Sequence, residues 1–129
     1  MKKVILIRGL PGSGKTTLAK MIIERLGDRG VNHEADHYFE SIGHFDGRLL
    51  EQAHAQCFER FRRDIKNDEI EMVVVSNTFC LRKHIQPYIE ECVAAGIIPQ
   101  IVKCTGMFQS VHNVPAATIE KMRQQWEEI

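Results

Sequence analysis

The chain has 129 residues, with 17 Lys and Arg against 17 Asp and Glu, 43% hydrophobic residues and 26% charged residues. This composition is typical of a soluble globular protein and predicts one domain over residues 1–129. The zero formal net charge excludes a protein that holds nucleic acid chiefly by bulk neutralisation of phosphates. The apolar run before Arg8 is too short for a signal peptide, and no membrane span follows, so we expect a cytoplasmic protein.

The cysteines and histidines do not have the spacing of a metal site. There is no Cys-x-x-Cys pair among Cys57, Cys80, Cys92 and Cys104. Their apolar surroundings indicate free thiols in a reducing compartment. His33 and His37 are four residues apart, but the chain there is predicted to leave a strand for a loop, so we expect no zinc site.

The first half of the chain alternates strand and helix patterns. Residues 3–8 are a continuous apolar run, typical of a parallel strand that is covered on both faces. A glycine-rich stretch at 9–14 leads into a helix predicted over 15–26. Residues 31–36 predict a short edge strand, and the Gly and Asp residues of 43–48 predict a loop.

The middle of the chain predicts a helix, a strand and a further helix. Residues 49–65 have the strongest amphipathic helical period. Residues 72–76 are the second continuous β-branched run, which predicts a central strand beside the first one. A third helix ends at Gly96, and Pro87 implies that it begins near residue 86 or is broken there.

The last third of the chain completes the pattern. Residues 97–104 predict an edge strand, because Pro99 near its start cannot donate to a strand ladder. A loop over 105–114 precedes a helix that Pro115 opens. The alternation predicts the α/β class, with an open parallel sheet of about four strands, flanking helices and a short lid.

Residues 9–16 read Gly-Leu-Pro-Gly-Ser-Gly-Lys-Thr, which fits the P-loop pattern and lies between a predicted strand and a predicted helix. In a P-loop, glycines let backbone N–H groups converge on phosphate oxygens, and the helix N-terminus adds its partial positive charge. Lys15 is predicted to neutralise the β and γ phosphates of ATP, and Thr16 to bind Mg²⁺ through its hydroxyl. The residues expected to contact the nucleotide are Gly9, Pro11, Gly12, Ser13, Gly14, Lys15, Thr16 and Thr17.

The acidic residues favour a kinase over a nucleotide-hydrolysing motor. Motors carry an aspartate directly after an apolar strand, whereas Ser76 and Asn77 follow the apolar run Met72 to Val75 here. Asp36 comes after the second predicted strand, at the edge of the sheet where doubly wound folds bind ligands. A carboxylate there can accept a proton from an attacking hydroxyl. The alternative is that Asp36 caps a turn or helix.

Four segments resemble, in chain order, the kinase domain of the phage polynucleotide kinases and their P-loop kinase relatives. They are Arg8 to Thr17, Ala35 to Tyr38, Ser76 to Thr78 and Ile119 to Met122. The resemblance implies a P-loop NTPase fold that uses ATP and Mg²⁺. It also implies that Asp36 is the general base that deprotonates a polynucleotide 5′-hydroxyl.

The chain departs from the phage enzymes at three places. Phe39 stands where they have an arginine that contacts substrate phosphate, and Ser76 to Thr78 where they have Asp-Thr-Asn. Residues 105–114, where they carry lid arginines, contain no arginine or lysine. The candidate substrate or phosphate contacts are Tyr38, Phe39, Asn77, Arg82 and His112, and the further candidates to replace the lid arginines are Lys103 and Arg123.

Three functions follow as expectations. The first is an ATP-dependent kinase that acts on the 5′-hydroxyl at a single-stranded nucleic acid end. The second is a kinase of a small hydroxyl metabolite, such as a nucleoside or sugar. The third is a nucleotide-binding regulatory module with little transfer activity, which the missing lid arginines motivate because such arginines supply about 10³ to 10⁵ in rate elsewhere.

Overall fold

The structure is a computed structural model, and it describes residues 2–108 and 114–129. Within these ranges the strands are β1 (Lys3–Arg8), β2 (Gly30–His33), β3 (Met72–Asn77) and β4 (Gln100–Lys103). The α-helices are α1 (Lys15–Ile23), α2 (Asp36–Ile42), α3 (Leu50–Ile65), α4 (Arg82–Ala94) and α5 (Ala116–Gln125). Short 3₁₀ segments cover Glu24–Arg29 and Gly47–Leu49.

The four strands form one parallel sheet in the order β2-β3-β1-β4. The two most apolar strands, β1 and β3, are neighbours at the centre, with Leu6 opposite Val75. The shorter strands β2 and β4 lie at the edges. The predicted α/β architecture with a four-stranded parallel sheet is therefore confirmed, including which strands are central.

The sheet is covered on both faces, because alternate side chains of a strand point to opposite sides. Val73 and Val75 belong to the core that contains Phe61 of α3 and Ile85 of α4. Val74 lies on the opposite face and packs with residues of α1. A strand buried on both faces needs apolar residues at every position, which is why β1 and β3 read as continuous runs.

Helix α2 corrects the prediction that the chain enters a loop after the second strand. β2 ends at His33, and Asp36 already opens α2, so His37 lies on a helix. The helix is short, and Phe39 is its only buried residue. Gly43 ends it with a φ of 84°, a conformation that glycine adopts without steric cost. A single buried position in seven residues gives too weak a period for sequence analysis to detect.

Helix boundaries differ from the predictions at two further places. α1 ends at Ile23, and a 3₁₀ segment with a kink at Gly27 replaces its predicted last turn. α4 begins at Arg82 and continues through Pro87. Proline there lacks the N–H that would bond to the Lys83 carbonyl, and its ring crowds that carbonyl. Both Pro87 and Lys83 are exposed, so water can bond to the carbonyl instead.

Three further features of the structure concern the cysteines, possible metal ligands and possible membrane-spanning helices. All four cysteines are free thiols, as predicted, and Cys57, Cys80 and Cys92 are buried. Among residues 2–108 and 114–129, no group of three His, Cys, Asp or Glu side chains is placed to hold a metal ion. In the same ranges, no helix combines the length and apolarity that a membrane crossing requires.

Candidate functional site

The glycine-rich loop joins the end of β1 to the start of α1. Gly12 and Gly14 have φ angles of 83° and 95°, which residues with a side chain rarely adopt. A Cβ at Gly9 would stand 2.8 Å from the carbonyl oxygen of Cys104, so only glycine fits there. The Leu18 N–H donates to the Gly14 carbonyl, which starts the helix immediately after the loop. The loop between β1 and α1 therefore contains two left-handed glycines and one glycine at a close backbone approach.

Lys15 folds back over this loop. Its Nζ donates to the carbonyl oxygen of Leu10 at 3.1 Å. Burial lowers the pKa of the Lys15 ammonium, and the nearby carboxylate of Asp36 acts in the opposite direction. Lys15 and Asp36 are 21 positions apart in sequence. The structure brings them close enough for the Asp36 carboxylate to favour the charged form of Lys15.

Thr16 contacts a carboxylate that the sequence analysis did not select. Its Oγ1 donates to Oε1 of Glu34 at 2.8 Å. The other oxygen, Oε2, accepts from the Asn32 side chain at 2.8 Å and lies 3.6 Å from His37 Nε2. Glu34 is 7% exposed, so these contacts hold it in place beside the start of α1. Its position directly after β2, where the sheet edge binds ligands, was the signal that identified Asp36 and applies to Glu34 as well.

Asp36 opens α2 at the edge of a cavity of about 400 Å³. The cavity wall is formed by α2 and the loop after it, and includes Phe39, His44 and Phe45. Phe39 is mostly buried, with its ring 4.8 Å from the ring of Phe45 and 5.6 Å from that of Tyr38. The candidate substrate contacts Tyr38 and Phe39 are thus placed on the same short helix as Asp36.

Asn77 has a structural contact of its own. Its Oδ1 accepts from the backbone N–H of Ala35 at 2.8 Å, and its Nδ2 lies 3.5 Å from Cys57 Sγ. The residue is 7% exposed. Asn77 at the end of β3 therefore fixes the backbone between Glu34 and Asp36.

Two of the remaining candidate cations, Arg82 and Lys103, contact residues 126–129, which we call the C-terminal segment. Arg82 Nε donates to the Glu128 carbonyl at 3.0 Å, and the Arg82 N–H donates to the Glu127 carboxylate. Lys103 forms a 2.7 Å ion pair with Glu128. Arg123 pairs with Glu120 on α5. His112 lies outside the described residues.

The residues after β4 run across the glycine-rich loop. The Phe108 N–H donates to the carbonyl oxygen of Gly12 at 2.8 Å. The Phe108 ring lies against Gly14, since a Cβ there would stand 3.3 Å from it, yet the side chain is 70% exposed. A Cβ at Gly106 would stand 2.8 Å from the Ser13 carbonyl oxygen. Residues 104–108 therefore cover one side of the glycine-rich loop, and none of them has a charged side chain.

Pro11 and Thr17 complete the predicted nucleotide contacts. Pro11 is half-buried within the loop, and Thr17 is exposed on the first turn of α1. Ser13 is buried, and its hydroxyl has no hydrogen-bond partner among the described residues. The loop, Lys15, Thr16, Glu34 and Asp36 form one continuous site at the carboxyl end of the sheet.

This fold and this loop define the class of the protein: a P-loop kinase-like α/β protein. The model of the Zeta toxin family matches residues 1–75, which is more than half of the chain, and the chain belongs to that family. The match covers β1, α1, β2, α2, α3 and most of β3, which include the glycine-rich loop, Glu34 and Asp36.

Comparisons with individual proteins agree with this class. The chain is 33% identical over 88 residues to human NEDD4-binding protein 2, a match that covers 67% of this chain and 5% of that protein. It is similar to the APS kinase CysC of Mycobacterium tuberculosis, with 20% identity, a TM-score of 0.61 and coverage of 96% of this chain and 93% of that one. A gluconokinase from Sinorhizobium meliloti 1021 gives 19% identity, a TM-score of 0.63 and coverage of 98% and 75%.

A structure of the Pnkp1/Rnl/Hen1 RNA repair complex gives a higher TM-score of 0.69, with 20% identity and coverage of 96% of this chain and 43% of that one. At this level of identity the three structures show a shared fold. The predicted resemblance to P-loop kinases is therefore confirmed at the level of fold and family. The specific resemblance to phage polynucleotide kinases stays a prediction.

Proposed function

We propose that this chain is an ATP-dependent phosphotransferase whose acceptor is a polynucleotide 5′-hydroxyl. The observation that carries the proposal is the placement of Asp36 beside Lys15 and at the edge of an open cavity. A lysine that holds phosphates and a carboxylate that receives a proton are the two groups that transfer from ATP to a hydroxyl requires.

In this proposal the loop N–H groups and Lys15 hold the β and γ phosphates. The acceptor oxygen forms a bond to the γ-phosphorus while the bond from that phosphorus to the β,γ-bridging oxygen breaks, and ADP leaves. The proton of the acceptor hydroxyl passes to the Asp36 carboxylate. Asn77 and Phe39 keep Asp36 in place, because one fixes the Ala35 N–H and the other anchors α2 in the core.

The residues beside Lys15 fit a magnesium ion. Mg²⁺ prefers oxygen ligands and takes one or two carboxylates together with substrate phosphates. The Thr16 hydroxyl and the Glu34 carboxylate supply such oxygens at adjacent positions. Bound there, Mg²⁺ would neutralise phosphate charge, and Thr16 and Glu34 are the residues that would hold it.

The test is transfer of labelled γ-phosphate from Mg·ATP to a single-stranded oligonucleotide with a 5′-hydroxyl. A panel of nucleosides and sugars and a reaction without acceptor run beside it. Asp36→Asn should abolish labelling and retain ATP binding, whereas Asp28→Asn, an exposed carboxylate on a distant turn, should label normally. Normal transfer by Asp36→Asn would contradict its role as base, and labelling of a metabolite alone would reassign the acceptor.

A second candidate is a nucleotide-binding regulatory module with weak transfer. The observation that favours it is that the side chains of Arg82 and Lys103, two candidates to replace the lid arginines, already contact the carbonyl and the carboxylate of Glu128. An isolated protein that binds ATP but transfers far more slowly than about 1 s⁻¹, the lower range for kinases, would support this candidate. Turnover at ordinary kinase rates would exclude it.

A further inference from the structure

A second concave surface lies beside the proposed nucleotide site, against the edge strand β2. It is a groove of about 620 Å³ between α1 and α3, and five of its wall residues carry basic side chains: Lys20, His33, His37, Arg60 and Arg63. The chain as a whole has no net charge, so this clustering is local. We call this surface the β2 groove.

One acidic residue, Asp64, lines the β2 groove, and it contacts two of the basic side chains there. Asp64 is 4% exposed and accepts from His33 Nε2 at 2.6 Å. Arg63 donates to both Asp64 oxygens, at 3.1 and 3.3 Å. Asp64 therefore compensates Arg63, and among the described residues it forms no ion pair with the other two permanent cations of the groove.

Lys20 and Arg60 are those two cations. Lys20 projects from α1 and Arg60 from α3, so the groove has a positive charge on each side. Across residues 2–108 and 114–129, neither side chain forms an ion pair with a carboxylate. The neighbouring Arg62 differs, because it pairs with Glu59 and Glu91. Two cations without a carboxylate partner in the described part of the chain therefore face one groove.

The shape and donors of the β2 groove fit phosphate better than a single carboxylate. A guanidinium presents a planar fork of donors that matches phosphate oxygens, and an ammonium adds a compact charge. β2 is an edge strand that pairs with β3 on one side, and its residues from Gly30 to His33 line the groove. We propose that the β2 groove binds a phosphate group at a site separate from the glycine-rich loop.

The β2 groove is connected to the proposed nucleotide site. Lys20 lies one helical turn after Thr16 on α1, and His37 lies both in the groove wall and 3.6 Å from Glu34 Oε2. A ligand with several phosphates, such as a nucleic acid strand, can therefore contact the groove while its end lies near Asp36. A free phosphate or small phosphate ester would use the same chemistry.

The experiment compares two charge-matched double variants. Lys20→Gln with Arg60→Gln removes the two groove cations, and Arg25→Gln with Lys66→Gln removes one arginine and one lysine that do not line the groove. The first probe is a short single-stranded oligonucleotide with a 3′ fluorophore, followed by anisotropy over a range of salt concentrations. The second probe is inorganic phosphate, followed through the arginine side-chain NMR signals. Neither needs ATP or transfer.

The groove double variant should bind the oligonucleotide at least about tenfold more weakly per cation removed, since charge-assisted hydrogen bonds have this strength. The slope of log affinity against log salt should fall by about 1.4, or about 0.7 for each lost phosphate contact on a single strand. The control double variant should bind as the wild type does. Loss of phosphate binding without loss of oligonucleotide binding identifies a free phosphate as the ligand.

Equal effects of the two double variants on both probes would overturn the proposal, as would a wild-type protein that binds neither probe. The affinity for a non-hydrolysable ATP analogue is measured on every variant. Failure of the wild-type protein to bind this analogue would contradict the proposed phosphotransferase activity. The comparison between the two double variants would still test whether the β2 groove binds phosphate.

Discussion

The hydroxyl of Thr16 donates a 2.8 Å hydrogen bond to the carboxylate of Glu34. This contact joins the last residue of the glycine-rich pattern to the first acid after β2, two parts of the chain separated by 18 positions. The end of the central strand β3 carries Ser76 and Asn77, which are uncharged. Glu34, directly after the neighbouring strand β2, is the carboxylate that lies beside Thr16.

Replacing Glu34 with glutamine should weaken magnesium binding. Glu34→Gln keeps an oxygen acceptor for Thr16 and removes the negative charge, and changes of this kind next to a metal cost about 10–100-fold in affinity. The measurement is a Mg²⁺ titration of the protein with a non-hydrolysable ATP analogue. Glu24→Gln, an exposed carboxylate on the 3₁₀ segment, is the control. Equal Mg²⁺ affinity in wild type and Glu34→Gln would remove Glu34 from the proposed magnesium site.

Alanine substitutions at two glycines with left-handed backbone should distinguish an effect on protein stability from an effect on nucleotide binding. Gly14 has a φ of 95° and lies under Phe108, whereas Gly43 has a φ of 84° and open space around it. Each change to alanine should lower the free energy of unfolding by about 1–2 kcal/mol, the cost of this conformation for a residue with a Cβ. Only Gly14→Ala should also lose affinity for the ATP analogue. Urea denaturation and analogue titration measure the two quantities, and normal binding by Gly14→Ala would be the contrary result.

The buried guanidinium of Arg8 should be essential for holding the C-terminal segment against the rest of the fold. It donates to the carbonyl oxygens of Phe79 and Glu127 at 2.7 and 2.6 Å, and lies 3.9 Å from the ring centre of Trp126. Lysine cannot reproduce the planar fork, so Arg8→Lys should lower the free energy of unfolding by about 2 kcal/mol.

Trp126 makes this prediction directly measurable, because it is the only tryptophan in the chain. Its fluorescence should shift to longer wavelength in Arg8→Lys as the ring loses its contact with the guanidinium and meets water. Arg25→Lys at an exposed position should leave both the spectrum and the urea midpoint unchanged. An unchanged spectrum in Arg8→Lys would show that the C-terminal segment is held without Arg8.

The stability of the fold should decrease as the pH falls below about 6.5, the ordinary pKa of histidine. Burial lowers the pKa of His33 against the opposing contact with Asp64. In the window between the lowered value and 6.5, the unfolded chain binds a proton that the folded chain does not, so lower pH favours unfolding. Urea denaturation between pH 8 and pH 5, over a range that spans about 6.5, measures this slope.

His33→Asn should make that pH dependence shallower, since one group contributes at most about 1.4 kcal/mol per pH unit. His44→Asn, at an exposed position on the loop after α2, should keep the wild-type slope. The same slope in His33→Asn and wild type would show that His33 keeps an ordinary pKa in the fold.

Sequence analysis selected some residues of the candidate site and missed other contacts. It selected the glycine-rich loop, Lys15, Thr16 and Asp36, because each follows from spacing along a short stretch of chain. It missed Glu34 and the buried position of Arg8, and it did not foresee that the C-terminal segment would contact Arg82. All three depend on which distant residues meet after folding.

The sequence by itself determined the order of the four strands and of the helices α1, α3, α4 and α5, which strands are central and where the glycine-rich loop lies. These features are local: a run of β-branched residues, a helical period, or glycines at fixed offsets specify them within a few residues. The short helix α2 has one buried residue, so packing of Phe39 against the core decided its conformation. The partners of Thr16 and Arg8, and the placement of Lys20 and Arg60 on the two sides of one groove, were likewise decided only by tertiary structure, because contacts between distant side chains depend on how the helices pack against the sheet.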